Sequence, residues 1–410
     1  MTLLSLLSSL LLLALGVVAN PVVINRSLVT LPLAKKYNFT SINNLLEHDQ
    51  ARARALKSRA FGKGGVPDTG INEPITDQAV TYTASVGVGS PPTYYDLLVD
   101  TGSSNTWIGS GNKKYVKTST SVQTGDSVYV SYGKGYFYGT EFYDTVTLTP
   151  QLVIQGQSIG VALESDAFDN YNGILGIGPT DLTIGTLNPD TQSSVSTVTD
   201  NLHNRGTIPA YEIGIFFQPI NATSPGNGEI TWGGADSSKY TGQIKFTPIT
   251  NIFPASAYWG INQSIRYGVS TVILQSTAGI VDTGTTLILL ATDAFNRYSS
   301  ATGAVPDDNT SLLRITPAQF SALQGLVFTI NGVLYTLTPN AQLWPRSLNT
   351  QIGGTAGSIY LIVGDLGSAS GEGLDFINGY AFLERFYSVY DTANQQVGLA
   401  TTPYTLATTN

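Results

Sequence analysis

The chain is 410 residues long, ample for one large domain or two medium ones, yet only 12% of its residues are charged, about half the usual share for a soluble domain. With no cysteine and two histidines it excludes disulfides, thiolate metal sites, a cysteine nucleophile and a multi-histidine metal centre, and leaves a Ser-His-Asp triad few starting points. A net charge of −8 argues against nucleic acid and anionic membranes as partners.

Residues 2–18 form an apolar run closed by Val17-Val18-Ala19 and followed by Asn20-Pro21, the pattern of a signal peptide over residues 1–19. The run is short for a transmembrane helix and lacks a basic stop-transfer flank, and the C-terminal TTPYTLATTN is polar. Secretion to the extracellular space without a membrane anchor is expected. Residues 20–63 then carry Arg26, Lys35, Lys36, Arg52, Arg54, Lys57, Arg59 and Lys63 against only Glu47 and Asp49, a charge of +6 that leaves −14 for the remainder. A basic leader joined to an acidic body predicts electrostatic docking, loosened when low pH protonates the body's carboxylates. Within the leader, Leu45, Leu46, Ala53 and Leu56 are spaced for one face of a helix over Ile42 to Leu56. A removable pro-segment fits these features; a surface arm is the plainer alternative.

Beyond about residue 66 the pattern changes to short runs rich in Val, Ile, Tyr and Thr between Gly, Asn, Asp and Pro, as in Val80–Val88, Ser127–Tyr132 and Glu212–Phe217. A hairpin is predicted over Ser127–Asp144, with Tyr132-Gly133-Lys134-Gly135 at its tip. The plausible helices are short: Val195 to Leu202, Asp293 to Ser299, and Pro317 to Leu323 with Thr316 as N-cap and Gly325 as stop. The prediction is an all-β, mainly antiparallel protein. Periodicity does not decide among sandwich, barrel and stacked sheets. Asn221, Asn262 and Asn309 open Asn-x-Ser/Thr triplets and are candidate glycosylation sites, as are Asn25 and Asn38 in the leader.

An internal repeat carries the chemistry. Leu97-Leu98-Val99-Asp100-Thr101-Gly102-Ser103-Ser104 is echoed by Gly279-Ile280-Val281-Asp282-Thr283-Gly284-Thr285-Thr286. Each sets a carboxylate at the end of an apolar strand where the chain must turn. Gly allows the turn and leaves room for backbone N–H groups, while the hydroxyl residues can hold the carboxylate. A third Asp-Thr-Gly, Asp68-Thr69-Gly70, has no apolar approach and reads as a surface turn. The apolar, glycine-bearing stretches Tyr171–Gly178 and Asp375–Leu383 form a second echo, each suited to a strand packed against an Asp-bearing loop.

In combination, LLVDTGSSNTWIG, YGKG, NGILGIG, GEITWGGADSSKYTG, GIVDTGTT and FLERFYSVYDTANQQVGLA resemble the pepsin-like aspartic peptidases, especially their secreted fungal branch, over nearly all of residues 66–402. The resemblance implies a bilobal fold with pseudo-twofold symmetry, an N-terminal lobe over 64–244 with the first aspartate and the flap, and a C-terminal lobe over 245–410 with the second. It implies a zymogen pro-segment over 20–63 acting as an intramolecular inhibitor, protein and peptide substrates, a monomer, and neither cofactor nor metal. Asp100 and Asp282 become the catalytic pair, which shares one proton and activates a water at acidic pH. Thr101 and Thr283 brace the two loops, Gly102 and Gly284 make room, and Ser103 and Thr285 bond the outer carboxylate oxygens. Tyr132, Gly133 and Lys134 form the tip of the substrate-covering flap, and Trp107 supports Tyr132 through its indole N–H.

Three departures stand out: the family's common disulfides are absent, Asn172 replaces a frequent Asp, and Lys134 occupies a flap position usually small or acidic. There Lys134 would either lie solvated or disfavour basic side chains before the cleaved bond. Two other readings stay open, a catalytically silent peptide-binding relative and a glycoside hydrolase. The second explains two near-identical acid sites less well.

Overall fold

The computed structural model describes residues 28–37, 45–63, 80–133, 135–168, 170–219 and 228–408. The expected signal peptide, Asp68-Thr69-Gly70, Lys134, Asn25, Asn38 and Asn221 lie outside them.

Among the described residues strands dominate, in sheets of fourteen, seven and three, and the few α-helices run from four to fourteen residues. The repeat in the sequence is a repeat in the topology. Thr93–Asp100 runs parallel to Gly173–Gly176, which is antiparallel to Trp107–Ile108, itself parallel to Leu152–Asp166. In the second half Thr271–Val281 runs parallel to Phe376–Asn378, which is antiparallel to Ile288–Leu290, itself parallel to Val363–Asp365. Both aspartates therefore leave the end of a central strand at equivalent places in two equivalent arrangements. Leu97, Val99, Leu175, Ile280, Val281 and Ile377, which line this approach, are buried. That burial is what the apolar lead-in to each Asp-Thr-Gly encodes.

The leader is built into the large sheet. Val29–Tyr37 is a strand between Gly228–Trp232 and Val80–Val88, antiparallel to both. Leu31, Leu33 and Lys35 point inward on alternate residues. The chain's last strands, Phe386–Asp391 and Gln396–Thr401, join the same sheet through Glu212–Phe217 and Thr241–Pro248. The expected division at 244/245 falls within this last strand.

Helix ends differ from the sequence reading for identifiable reasons. The first body helix is Val198–Asn204, not Val195 to Leu202, because Thr197 caps it in a reciprocal pair with Asp200. The second runs Thr292–Thr302, past Ser299, to a left-handed Gly303. The third, Pro317–Ala322, has Thr316 as its cap but ends at an extended Leu323, so Gly325 is not its stop. In the leader the helix spans Leu45–Ser58 and continues as a wider turn to Lys63. Among the described residues no helix is long and apolar enough to cross a membrane.

Candidate active site

Asp100 and Asp282 are fully buried and face each other across the two repeats. Their loops are cross-braced. The Thr101 N–H donates to Thr283 Oγ1 at 3.0 Å, and the Thr283 N–H donates to Thr101 Oγ1 at 2.9 Å. The Thr283 hydroxyl goes on to Val99 O at 3.0 Å and that of Thr101 to Val281 O at 3.5 Å. Each carboxylate has the same two partners on its own loop. Asp100 receives the Gly102 N–H at 2.9 Å and the Ser103 hydroxyl at 2.5 Å. Asp282 receives the Gly284 N–H at 3.1 Å and the Thr285 hydroxyl at 2.6 Å.

Glycine is required after each Asp-Thr by the opposite loop. A Cβ on Gly102 would sit 2.7 Å from Asp282 Oδ1, and one on Gly284 would sit 2.6 Å from Asp100 Oδ1, closer than real Cβ contacts.

Above the pair, Val122–Ser131 and Tyr136–Thr149 form the expected hairpin. Tyr132 at its tip receives the Trp107 indole N–H on its phenol oxygen at 2.9 Å. Trp107 is held by Phe137 stacked at 4.4 Å and Phe168 edge-on at 5.0 Å, and Phe168 also meets Tyr132 edge-on at 5.4 Å. Each ring contact of this kind adds about 0.5–1.5 kcal/mol beyond burial, so the hairpin tip rests on a rigid aromatic base. Burial pushes the Tyr132 phenol up, which keeps it a neutral donor.

The cleft under this hairpin is filled by the leader. Arg52 Nη2 lies 2.5 Å from Asp100 Oδ1 and 2.9 Å from Asp282 Oδ1, while its Nε is 2.8 Å from Asp282 Oδ2. One nitrogen therefore touches both carboxylates. Burial alone would raise the Asp282 carboxyl, but the Arg52 charge and hydrogen bonds outweigh it and hold the group below its ordinary value. One helical turn earlier, the buried Asp49 accepts the Thr286 N–H at 3.1 Å and the Leu287 N–H at 2.8 Å. Arg59 donates to Ser131 O and lies 5.1 Å over the Tyr132 ring. Gly133, at φ +97°, leaves only 2.5 Å between the place of a Cβ and the Ala51 carbonyl oxygen, so the hairpin tip presses on the leader helix. Further out, Lys35 pairs with Glu384, and Lys36 pairs with Asp96 at 2.7 Å.

Asp100, Asp282, Thr101, Gly102, Ser103, Thr283, Gly284, Thr285, Tyr132, Gly133 and Trp107 thus converge on one place, as their motifs suggested. Asn262 and Asn309 are exposed and distinct from this group. No motif in the sequence marks Arg52, Asp49, or the Thr286 and Leu287 N–H groups. Helical spacing carried a signal for the first two: Asp49 and Arg52 fall on the face of Leu45, Leu46, Ala53 and Leu56, all buried, whereas Arg54 is exposed. Among the described residues no group of three or more His, Cys, Asp or Glu is placed to hold a metal ion.

Residues 81–402 match the eukaryotic aspartyl protease family, and the chain belongs to it. Within that class it is a pepsin-like aspartic endopeptidase. Polyporopepsin of Irpex lacteus is 64% identical over 337 residues, 82% of this chain and 98% of that relative. Rhizopuspepsin of Rhizopus chinensis is 33% identical over 332 residues, 76% of this chain and 80% of that relative. The crystal structure of the aspartic proteinase from Irpex lacteus superposes with a TM-score of 0.80 at 56% identity, covering 94% of this chain and all of that one.

Proposed function

We propose that Asp100 and Asp282 hydrolyse peptide bonds at acidic pH, and that residues 20–63 are an inhibitory pro-segment whose Arg52 occupies their place of action. The observation that carries this reading is the single Arg52 nitrogen in contact with both buried carboxylates. A cation there matches the charge of an ionised pair and fills the space a substrate and water need.

With the leader gone, two carboxyl groups this close share a proton. The ionised member takes a proton from a water between them, and the water oxygen attacks the peptide carbonyl carbon. The protonated member gives its proton to the carbonyl oxygen, producing a gem-diol. Breakdown of the gem-diol cleaves the C–N bond as a carboxyl proton passes to the nitrogen, and a diol proton returns to the other carboxylate. Ser103 and Thr285 hold the outer oxygens so that the inner ones face the water, and the Thr101–Thr283 brace fixes their separation. The flap bearing Tyr132 excludes bulk water over the substrate.

The first nineteen residues support secretion, with residues 1–19 as the signal peptide, and the two lobes on either side of the cleft meet within the strand Thr241–Pro248 rather than at a linker. The exposed Asn262 and Asn309 suit glycan attachment in a secreted chain. Acidifying the secreted full-length chain and assaying digestion of denatured globin, with and without a statine-type peptide inhibitor, tests the reading. Inhibitor-sensitive digestion with loss of the leader is expected; an inert processed protein that still binds the inhibitor would make it a silent peptide binder.

A further inference from the structure

The leader helix fills the cleft at the two aspartates, so the body groups that hold its other side chains are candidate substrate contacts. One such contact is built for a cation. Lys57 Nζ donates to Ser368 Oγ at 2.6 Å and lies 2.9 Å from Glu372 Oε2. Lys57 lies five residues beyond Arg52 on the same helix, about 7.5 Å along its axis.

Besides its leader contacts, which include Gln50 Nε2 donating to Asp365 O at 2.9 Å, the loop carrying Glu372 has anchors of its own within the body. Ser370 donates its N–H at 3.0 Å and its hydroxyl at 2.9 Å to Asp293. The Gly371 N–H at 2.7 Å and the Glu372 N–H at 3.1 Å both go to Asp375, which is fully buried and also receives the Thr277 hydroxyl. Asp365 anchors the start of the loop through the Gly367 N–H at 2.9 Å and the Thr292 hydroxyl at 2.7 Å. Asp293 is further occupied by Arg297 at 2.8 Å. The neighbouring carboxylates are thus engaged in holding the loop, and Glu372, about half exposed at 52%, has Lys57 as its cation. Departure of the leader leaves this carboxylate and the Ser368 hydroxyl in place without the ammonium group.

We propose that Glu372 and Ser368 form a substrate subsite for a lysine or arginine side chain. This inference rests on the reading of the cleft as a peptidase site and adds a specificity to it. It concerns a contact separate from the flap tip.

The test is cleavage-site profiling of the acid-converted enzyme on a mixed peptide library at about pH 5.5, where free carboxylates are generally ionised. Wild type is expected to enrich Lys and Arg at one position near the cut. Glu372→Gln should reduce that enrichment relative to neutral residues about fivefold, the scale of a solvent-exposed ion pair, and Glu372→Lys should shift it toward Asp and Glu. Ser368→Ala should reduce it in the same direction. The proposal is overturned if wild type shows no such position, or if Glu372→Gln retains the enrichment. Cleavage with an unchanged profile removes the subsite alone, whereas no cleavage by wild type removes the peptidase reading along with it.

Discussion

Arg52 and Asp282 form a two-point ion pair sealed from solvent, with Nε on Oδ2 at 2.8 Å and Nη2 on Oδ1 at 2.9 Å. Because the Asp282 carboxyl is held below its ordinary value, the stabilisation it gives the docked leader is present above the usual carboxylate range. It is lost as pH falls through the lowered value. Acid therefore weakens the contact that blocks the cleft. Removing the cation leaves two buried carboxylates unpaired, at a cost of about 3–5 kcal/mol. Arg52→Gln should accordingly release the leader at a pH about two units or more above wild type, at about 1.4 kcal/mol per unit. Gel analysis of leader loss across a pH series measures this, and an unchanged midpoint would show that Arg52 does not restrain the leader.

The Trp107–Tyr132 bond makes a separate prediction about the flap. Tyr132→Phe keeps the ring but leaves the buried Trp107 N–H without its partner, at a cost of about 1–3 kcal/mol. The converted variant should lose about tenfold to a hundredfold in kcat/KM on a fluorogenic peptide, with near-native circular dichroism. Full kcat/KM would mean that the flap closes without this bond.

The raised Glu141 carboxyl predicts a loss of stability toward neutral pH. The residue lies in the Tyr136–Thr149 strand of the flap hairpin, 3% exposed, with the Ser158 hydroxyl on one oxygen at 2.5 Å and no partner on the other. Burial, opposed by Ser158 and aided by Asp126, raises its carboxyl from 4.5 to about 7. A carboxyl raised in the folded state favours folding fully below its unfolded value and loses that advantage as pH rises to the folded value. The window is thus roughly pH 4.5 to 7, and the loss is about 3 kcal/mol. Urea unfolding of Glu141→Gln should show a flatter decline of stability across this window than wild type. Parallel declines would place the neutral-pH weakness elsewhere.

The two aspartates were legible because each signal was local and duplicated: an apolar strand, Asp-Thr-Gly and a hydroxyl pair, twice. Asp68-Thr69-Gly70 has the same tripeptide without the apolar lead-in or the hydroxyl pair, so the sequence signal lay in the combination. Tyr132 was legible through the resemblance and the glycines that mark the hairpin tip, and Trp107 through the first motif of that resemblance. The leader strand Val29–Tyr37 was not, although Leu31, Leu33 and Lys35 alternate, because its partners Gly228–Trp232 and Val80–Val88 are far away in sequence. Arg52 was one basic residue among eight in the leader. Its role depends on the register of the docked helix, which is set by body contacts such as Asp49 with Thr286 and Leu287. Helix ends moved for a similar reason: Thr197 and Gly303 outweighed the hydrophobic pattern that suggested other limits.

The most direct test replaces one acid at a time. Full-length Asp100→Asn and Asp282→Asn chains, acidified to about pH 3.5 and assayed by mass spectrometry for leader removal and globin digestion, should each lose at least about a thousandfold in rate, the scale expected when one member of an acid–base pair is removed. Digestion by either variant within about tenfold of wild type would contradict the sharing of one proton between these two carboxylates.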